Sequence, residues 1–234
     1  SLLERNAVVP NTATPLIAFS KHNSDFTFNF AASWFPLPNT AASPTDSTFT
    51  DGLVVRVVNC NPDRHSCANT THQEWANAGA LAMIRANLSS FLGLSQGPSV
   101  EHVSESNIIW PGAFSPPHPA NHSEWGAIDP RIVYRPANNR YYLAWDNCTQ
   151  NCYPQRETLL STTTNPFNAS SWQLHGPILP GAYTGGASLL FRDDNKFKSS
   201  DATEHEHELH YAFVSDSNTA GSLILLESAD GEHW

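Results

Sequence analysis

The sequence predicts an all-β protein, and three observations carry the prediction. Short runs rich in Val, Ile, Leu, Phe, Tyr and Trp recur along the 234 residues, separated by clusters of Pro, Ser, Thr, Asn and Gly. A strand-turn-strand unit returns three times, and two copies finish with a Ser-containing strand, a polar turn and a Trp. Helix-friendly composition is confined to 74–85, where propensity is a weak guide and Ala80 to Ala86 reads as a strand.

The first unit, about residues 25–90, runs from Phe26 to Phe35 through a Pro/Ser/Thr/Asn-rich turn to Gly52–Val58 and takes Ala80 to Ala86 as its third strand. The second, about 107–175, is a hairpin: Ile132, Val133 and Tyr134 form one strand, Pro136-Ala137-Asn138-Asn139 turns the chain, and Tyr141 to Trp145 returns. Glu157 to Thr162 continues it to a closure near Trp172. The third, about 178–234, starts at Gly186 to Phe191, crosses a polar excursion to His210–Ser215, and ends with Ser222 to Ser228 and Ala229 to Trp234. Units of this size cannot bury both faces of a sheet alone, so they are expected to stack as blades of one β-propeller domain over 1–234. Three blades leave strand edges open, so further blades are expected to complete the ring.

Composition narrows the function classes. There are 12 Lys plus Arg against 22 Asp plus Glu, a net charge of −10, and 15% charged residues. An acidic surface argues against nucleic acid and anionic membranes as partners, since both require basic patches. No apolar run approaches the ~20 residues that span a bilayer, so no membrane insertion is expected. Four cysteines fall into two close pairs, Cys60 with Cys67 and Cys148 with Cys152. Two local disulfides fit this spacing better than a four-ligand zinc site, whose paired ligands usually sit closer than Cys60 and Cys67. Five sequons, at Asn69, Asn87, Asn121, Asn147 and Asn168, fall near expected loops. Together they point to a secreted glycoprotein whose signal peptide lies outside this chain.

The segment with chemical content is Gly126-Ala127-Ile128-Asp129-Pro130-Arg131-Ile132. Asp129 enters a strand rigidified by Pro130, with a fixed positive charge at Arg131. Asp-Pro is also an ordinary turn opener. Trp34, Trp110, Trp125, Tyr134, Trp145 and Tyr183 fall at strand ends, where aromatic rings can stack on sugars or pack between sheets. Trp125, four residues before Asp129, is the best placed of them for a sugar. Trp172 and Trp234, at unit closures, read as packing. His205 and His207, inside Asp201 to His210, would share a strand face and could hold a metal, but such a run reads more simply as a solvated hairpin tip. His118, His122 and His175 read as loop residues. No phosphate loop, nucleophile elbow or zinc-helix motif occurs, and no metal or cofactor is expected.

These residues resemble the five-bladed β-propeller glycosidases, and within them glycoside hydrolase family 130, the mannoside phosphorylases and mannosidases. Phe28-Asn29-Phe30-Ala31 is similar to the first-blade Phe-Asn-Pro-Ala pattern, Leu53 to Arg56 to the strand that follows it, and Ile109-Trp110-Pro111 to the segment that precedes the signature. Ile128-Asp129-Pro130-Arg131-Ile132 resembles the Glu-Asp-Pro-Arg-Ile signature, and Ser228 to Trp234 the blade-closing Ser-x-Asp-x-x-x-Trp. Invertase-like and arabinanase-like propellers share the Asp-Pro and closure elements. The resemblance implies a glycan-processing enzyme with Asp129 as general acid, and substrate contacts from Asn29, Arg56, Arg131 and Arg156. Ile128 replaces the signature glutamate, and Thr184-Gly185-Gly186 stands where the phosphorylases carry a Lys. Only Arg156 is placed to hold phosphate, so hydrolysis is expected over phosphorolysis. Inverting hydrolysis needs a second carboxylate, for which Asp25, Asp146 and Asp216 are the candidates. The alternative is a non-catalytic propeller that binds glycans or joins an extracellular assembly.

Overall fold

The computed structural model describes residues 26–38, 49–59, 79–87, 99–100, 108–109, 126–148, 156–192, 209–216, 218–219 and 221–234. These form antiparallel sheets in chain order. The first joins β1 (Phe26–Pro36), β2 (Asp51–Asn59), β3 (Gly79–Asn87) and β4 (Ser99–Val100), with β5 (Ile108–Ile109) also on β3. The second is the meander β6 (Gly126–Arg135), β7 (Arg140–Cys148), β8 (Arg156–Thr163) and β9 (Gln173–Pro177). The third joins β10 (Thr184–Leu190), β11 (His210–Asp216) and β12 (Leu223–Ser228). Successive up-and-down sheets packed face to face are the blades of a β-propeller, as the repeats predict.

One expectation about strand membership shifts. Ile108 and Ile109, expected in the second blade, pair with Ala82 and Leu81 and bury against the first. The third blade shows three strands among the described residues. The strand over Ala80 to Ala86 forms as β3, because Ala80, Ala82, Ile84 and Ala86 fill one buried face with Leu53, Val55 and Val57. Among the described residues no helix is long and apolar enough to cross a membrane.

Large side chains seal the seams between blades. Phe35, Val54, Leu81 and Met83 of the first sheet meet Ile132, Tyr141, Leu143, Trp145, Leu159 and Trp172 of the second. On the opposite face Tyr142, Ala144 and Leu160 meet Ala187, Leu189, Ala212 and Val214 of the third. Trp145 is fully buried and donates its Nε1 hydrogen to Ser161 Oγ at 3.0 Å. The Pro136–Asn138 turn ends on Asn139 at φ 53°, a left-handed position that Asn tolerates, and this sets the β6-β7 register.

The closing Ser-x-Asp-x-x-x-Trp pattern proves to be turn chemistry. Asp230 Oδ1 accepts hydrogen bonds from Ser228 Oγ (3.0 Å) and from the amides of Glu232 (2.8 Å) and His233 (2.9 Å). The turn is tied to the second blade by the Arg140–Glu232 ion pair at 2.8 Å and by Arg135 Nη1 donating to the Asp230 carbonyl at 3.1 Å. His175, expected in a loop, lies on β9 and bonds Thr162 Oγ1 at 2.8 Å. Its imidazole is lowered from the usual range, chiefly by burial.

All three of β1, β6 and β10 carry a bulge. The register slips between Phe30 and Ser33, between Ile128 and Arg131, and between Gly185 and Ala187. In the first two, a pair of residues, Ala31-Ala32 and Asp129-Pro130, stands opposite a single partner. Ser33 Oγ accepts a hydrogen bond from the Ile132 amide at 3.3 Å, which joins those two strands just past their bulges. An extra residue freed from the ladder can be aimed independently of its neighbours, and bulges commonly sit beside functional sites.

Candidate functional site

Asp129 occupies the β6 bulge at φ 48°, a left-handed conformation in a residue that is not glycine. A following proline disfavours anything but extended backbone at the preceding position, so Asp129 is strained twice over. Pro130 itself is tolerated because β6 is an edge strand and the bulge needs no amide donor there. The side chain is 37% exposed. Such strain, on a half-exposed acid, is found where the surrounding structure holds a group for use.

Arg156, the first residue of β8, lies between two carboxylates. Its Nη1 is 3.5 Å from Asp129 Oδ2 and 3.5 Å from Asp146 Oδ2. Gly185 makes room for it, because a methyl group there would overlap the guanidinium. Asp146, on β7, is wholly buried. Its oxygens accept hydrogen bonds from the Gly186 amide at 2.8 and 2.9 Å, and Oδ1 accepts another from Thr158 Oγ1 at 2.7 Å. Gly186, in the third blade's own bulge, takes φ 63°, which suits glycine. Thr184 Oγ1 accepts from the Thr158 amide at 3.0 Å and completes the seam between the blades. Burial pushes the Asp146 carboxyl up to about 7, against the opposing pull of Thr158, Arg156 and the Gly186 amide.

Two carboxyls bridged by one guanidinium, one facing solvent and one sealed behind it, form a site able to present an acid-base group with a fixed orientation. The sequence placed Asp129 and Arg156 in it. It named Asp146 only as one of three possible second carboxylates, and burial excludes that direct role, since a base must touch its water. Asp216 ends β11 and caps its own turn, accepting from the Asn218 amide at 2.8 Å. That bond holds its carboxyl below the usual range. Asp25 lies outside the described residues.

The remaining expectations divide. Arg131 is exposed and turns back to its neighbour, donating to the Pro130 carbonyl at 2.8 Å, so it is not brought onto Asp129. Arg56 is buried on β2, opposite Phe30 and Leu81. Asn29 lies on β1 opposite Val57. Trp145 packs between blades and is closed to sugar, and Tyr134 donates to Asn139 Oδ1 at 2.9 Å in the hairpin turn. Trp34, 53% exposed, donates to Asp51 Oδ1 at 2.8 Å. Tyr183 stands 39% exposed immediately before Thr184. Trp110 and Trp125 lie outside the described residues, as do His118, His122, His205 and His207.

The sequon asparagines also divide. Asn168 is exposed, its Oδ1 accepting from Ser170 Oγ at 2.8 Å. Asn87 ends β3. Asn147, expected in a loop, is instead buried inside β7 at 4% exposure, which leaves no path for a glycan in the folded chain. β7 runs three residues past the expected end at Trp145, and Tyr141 to Asn147 are all buried. Asn69, Asn121, Cys60, Cys67 and Cys152 lie outside the described residues, and Cys148 is described only as the backbone end of β7.

No family model matches the chain, and no curated protein matches it. Among solved structures it is similar to exo-beta-1,3-galactanase from Phanerochaete chrysosporium, seen with galactose and, in two substituted forms, with beta-1,3-galactotriose. Each has a TM-score of 0.48 and 12% sequence identity, over 86% of this chain and 35% of the other. The chain therefore spans about a third of the length of the structures it matches.

Proposed function

We propose that this chain is part of a secreted carbohydrate-active propeller, a glycoside hydrolase in which Asp129 gives a proton to the glycosidic oxygen directly or through a sugar hydroxyl. The carrying observation is the strained, half-exposed Asp129 in the β6 bulge with Arg156 beside it. The resemblance of 128–132 to the family 130 signature supports mannoside-like glycans as substrates. Hydrolysis is favoured over phosphorolysis because the Arg156 guanidinium, the cation placed for phosphate, already serves two carboxylates. Secretion is supported by the paired cysteines and the sequons other than Asn147. No metal or cofactor enters this reading.

Closure of a five-bladed ring is part of the proposal. The register sets Tyr211 and Phe213 of β11 at the positions of Tyr142 and Ala144 of β7, and Leu225 at that of Leu160. The second-blade residues are covered by the third blade, whereas Leu190, Phe213 and Leu225 are 52%, 43% and 54% exposed. An apolar sheet face of this kind fits a further blade.

The test is Asp129→Asn, assayed on a panel of mannosides and other oligosaccharides together with thermal unfolding. Turnover should fall by about 10²–10⁴-fold with the melting temperature nearly unchanged, since Asn tolerates the left-handed backbone. Unchanged turnover removes Asp129 from the mechanism. A second reading, a non-catalytic glycan-binding or structural glycoprotein, is favoured by the burial of Asp146, which leaves Asp129 without a second carboxyl on the open side among the described residues near it. That reading expects glycan binding with no turnover by any variant.

A further inference from the structure

Among the described side chains, Trp34 is the aromatic ring most open to solvent, at 53% exposure. A single exposed apolar residue is ordinary on its own. What sets Trp34 apart is that its polar edge is clamped. Its Nε1 hydrogen is donated to Asp51 Oδ1 at 2.8 Å, and Asp51 Oδ2 accepts from Thr50 Oγ1 at 2.7 Å. Thr50 is itself exposed, and its carbonyl accepts from the Leu37 amide at 3.1 Å, which extends the pairing of β1 and β2 by one step and fixes the backbone beneath the hydroxyl. We propose that Trp34 and Thr50 form a binding site for a pyranose ring of a glycan, with Asp51 holding both side chains in place. The proposal rests on the carbohydrate-active reading of the chain but not on Asp129 as the reacting group.

A pyranose carries C–H groups on its faces and hydroxyls around its rim, so a flat aromatic surface with polar groups at its edge recognises it. Trp34 supplies the surface. Thr50 Oγ1 gives its proton to Asp51 and keeps lone pairs that accept from a sugar hydroxyl. Holding the indole by its N–H removes rotamer freedom before the sugar arrives, which lowers the entropy cost of binding. The neighbours of Trp34 exclude the simpler account, that its blade face merely lacks a cover. Successive strand residues point to opposite faces. Phe35 is buried against the second blade and Ser33 Oγ bonds the Ile132 amide, so Trp34 points off the other face of β1, away from β6 and Asp129. That face is already filled: Leu53, paired directly with Trp34, is buried together with Val55 and Val57. A face awaiting another blade differs, as on the third blade, where Leu190, Phe213 and Leu225 are exposed together. Trp34 therefore stands at the rim of a packed face, as a site separate from Asp129.

The experiment titrates mannotriose and cellotriose into the Asp129→Asn chain, so that no sugar is consumed, and follows the indole N–H resonances by NMR. Trp34→Phe assigns the Trp34 resonance as the signal that disappears. At least one trisaccharide should shift that resonance saturably, with an affinity that falls about tenfold in Trp34→Ala and about fivefold in Thr50→Val. Trp34→Phe keeps a ring and should retain most of the affinity; with Thr50→Val it decides the matter if Trp34→Ala does not fold. A Trp34 resonance that neither sugar moves overturns the proposal. So does a shift with unchanged affinity in Trp34→Ala, which would mark binding elsewhere. Turnover by wild type of a sugar that leaves Trp34 unmoved sinks the proposal and leaves the proposed function standing. Saturable binding at Trp34 in a chain that turns over no sugar does the opposite, keeping the site and removing the catalytic reading.

Discussion

The buried carboxyl makes the stability of this protein depend on pH in a direction opposite to the usual one. Asp146 is raised from an ordinary 3.8 to about 7 in the folded chain. Its folded form therefore holds a proton that the unfolded chain has already released. Stability from this group is fully present below the unfolded value and is lost as pH rises through the window from 3.8 to about 7. A displacement of that size corresponds to about 4 kcal/mol across the window, an upper figure because Asp129 and Arg156 respond to the same proton. Most carboxylates in ion pairs contribute the reverse trend. Urea unfolding of wild type and Asp146→Asn at pH 4, 5, 6, 7 and 8 isolates the difference, since the substitution removes this titration and leaves the others. Wild type should lose stability relative to the variant by several kcal/mol between pH 4 and 8. Parallel curves, or a wild type that gains on the variant as pH rises, would refute the burial argument and show that the hydrogen bonds from Gly186 and Thr158 outweigh it.

Two further outcomes follow from the geometry. Gly185→Ala places a methyl group in the space of the Arg156 guanidinium; the displaced side chain leaves Asp146 without its cation, which should cost about 2–4 kcal/mol in chemical denaturation at pH 8 and less at pH 5, where Asp146 is protonated. Non-reducing peptide mapping should find Cys60 joined to Cys67 and Cys148 to Cys152, with glycan on Asn168 and none on Asn147; free thiols and bare asparagines throughout would place the protein in a reducing compartment.

The blade pattern was legible because it rests on local rules. Val, Ile and aromatic runs, a Pro-Ala-Asn-Asn turn and a Ser-x-Asp closure each act within a few residues, and β6, β7 and β12 form where those rules put them. Asp129 was legible for a similar reason, since Pro130 marks the backbone beside it. The burial of Asp146 was not. Asp146 sits in Tyr-Leu-Ala-Trp-Asp-Asn, where a polar residue after an apolar run reads as the end of a strand. The Gly186 amide, arriving from the next blade forty residues on, joins the Thr158 hydroxyl in supplying the donors that let the carboxylate be buried. Arg131 misled in the opposite way. Its charge is adjacent to Asp129 in sequence, but the bulge directs the two side chains apart, and the guanidinium that reaches Asp129 comes from β8. Asn147 shows the same limit, for a sequon records what an enzyme can recognise in an extended chain and not whether the folded strand leaves the side chain outside.

The bulges in β1, β6 and β10 give the fold a seat that is offered more than once. At that seat the chain carries Ala31-Ala32 in the first blade, Asp129-Pro130 in the second and Gly186 in the third. Asp129 and Gly186 share the left-handed backbone, so the seat is a property of the sheet and its occupant a separate choice. The three occupants differ in what they ask of their neighbours. Alanines ask nothing, a carboxylate asks for a guanidinium, and a glycine lends its amide to the blade before it. A protein built this way can gain, lose or relocate a reactive group by exchanging two residues at a vacancy the backbone already maintains, without redrawing a strand. Blades that look redundant as architecture then offer alternative places for a polar side chain to be held out of the ladder.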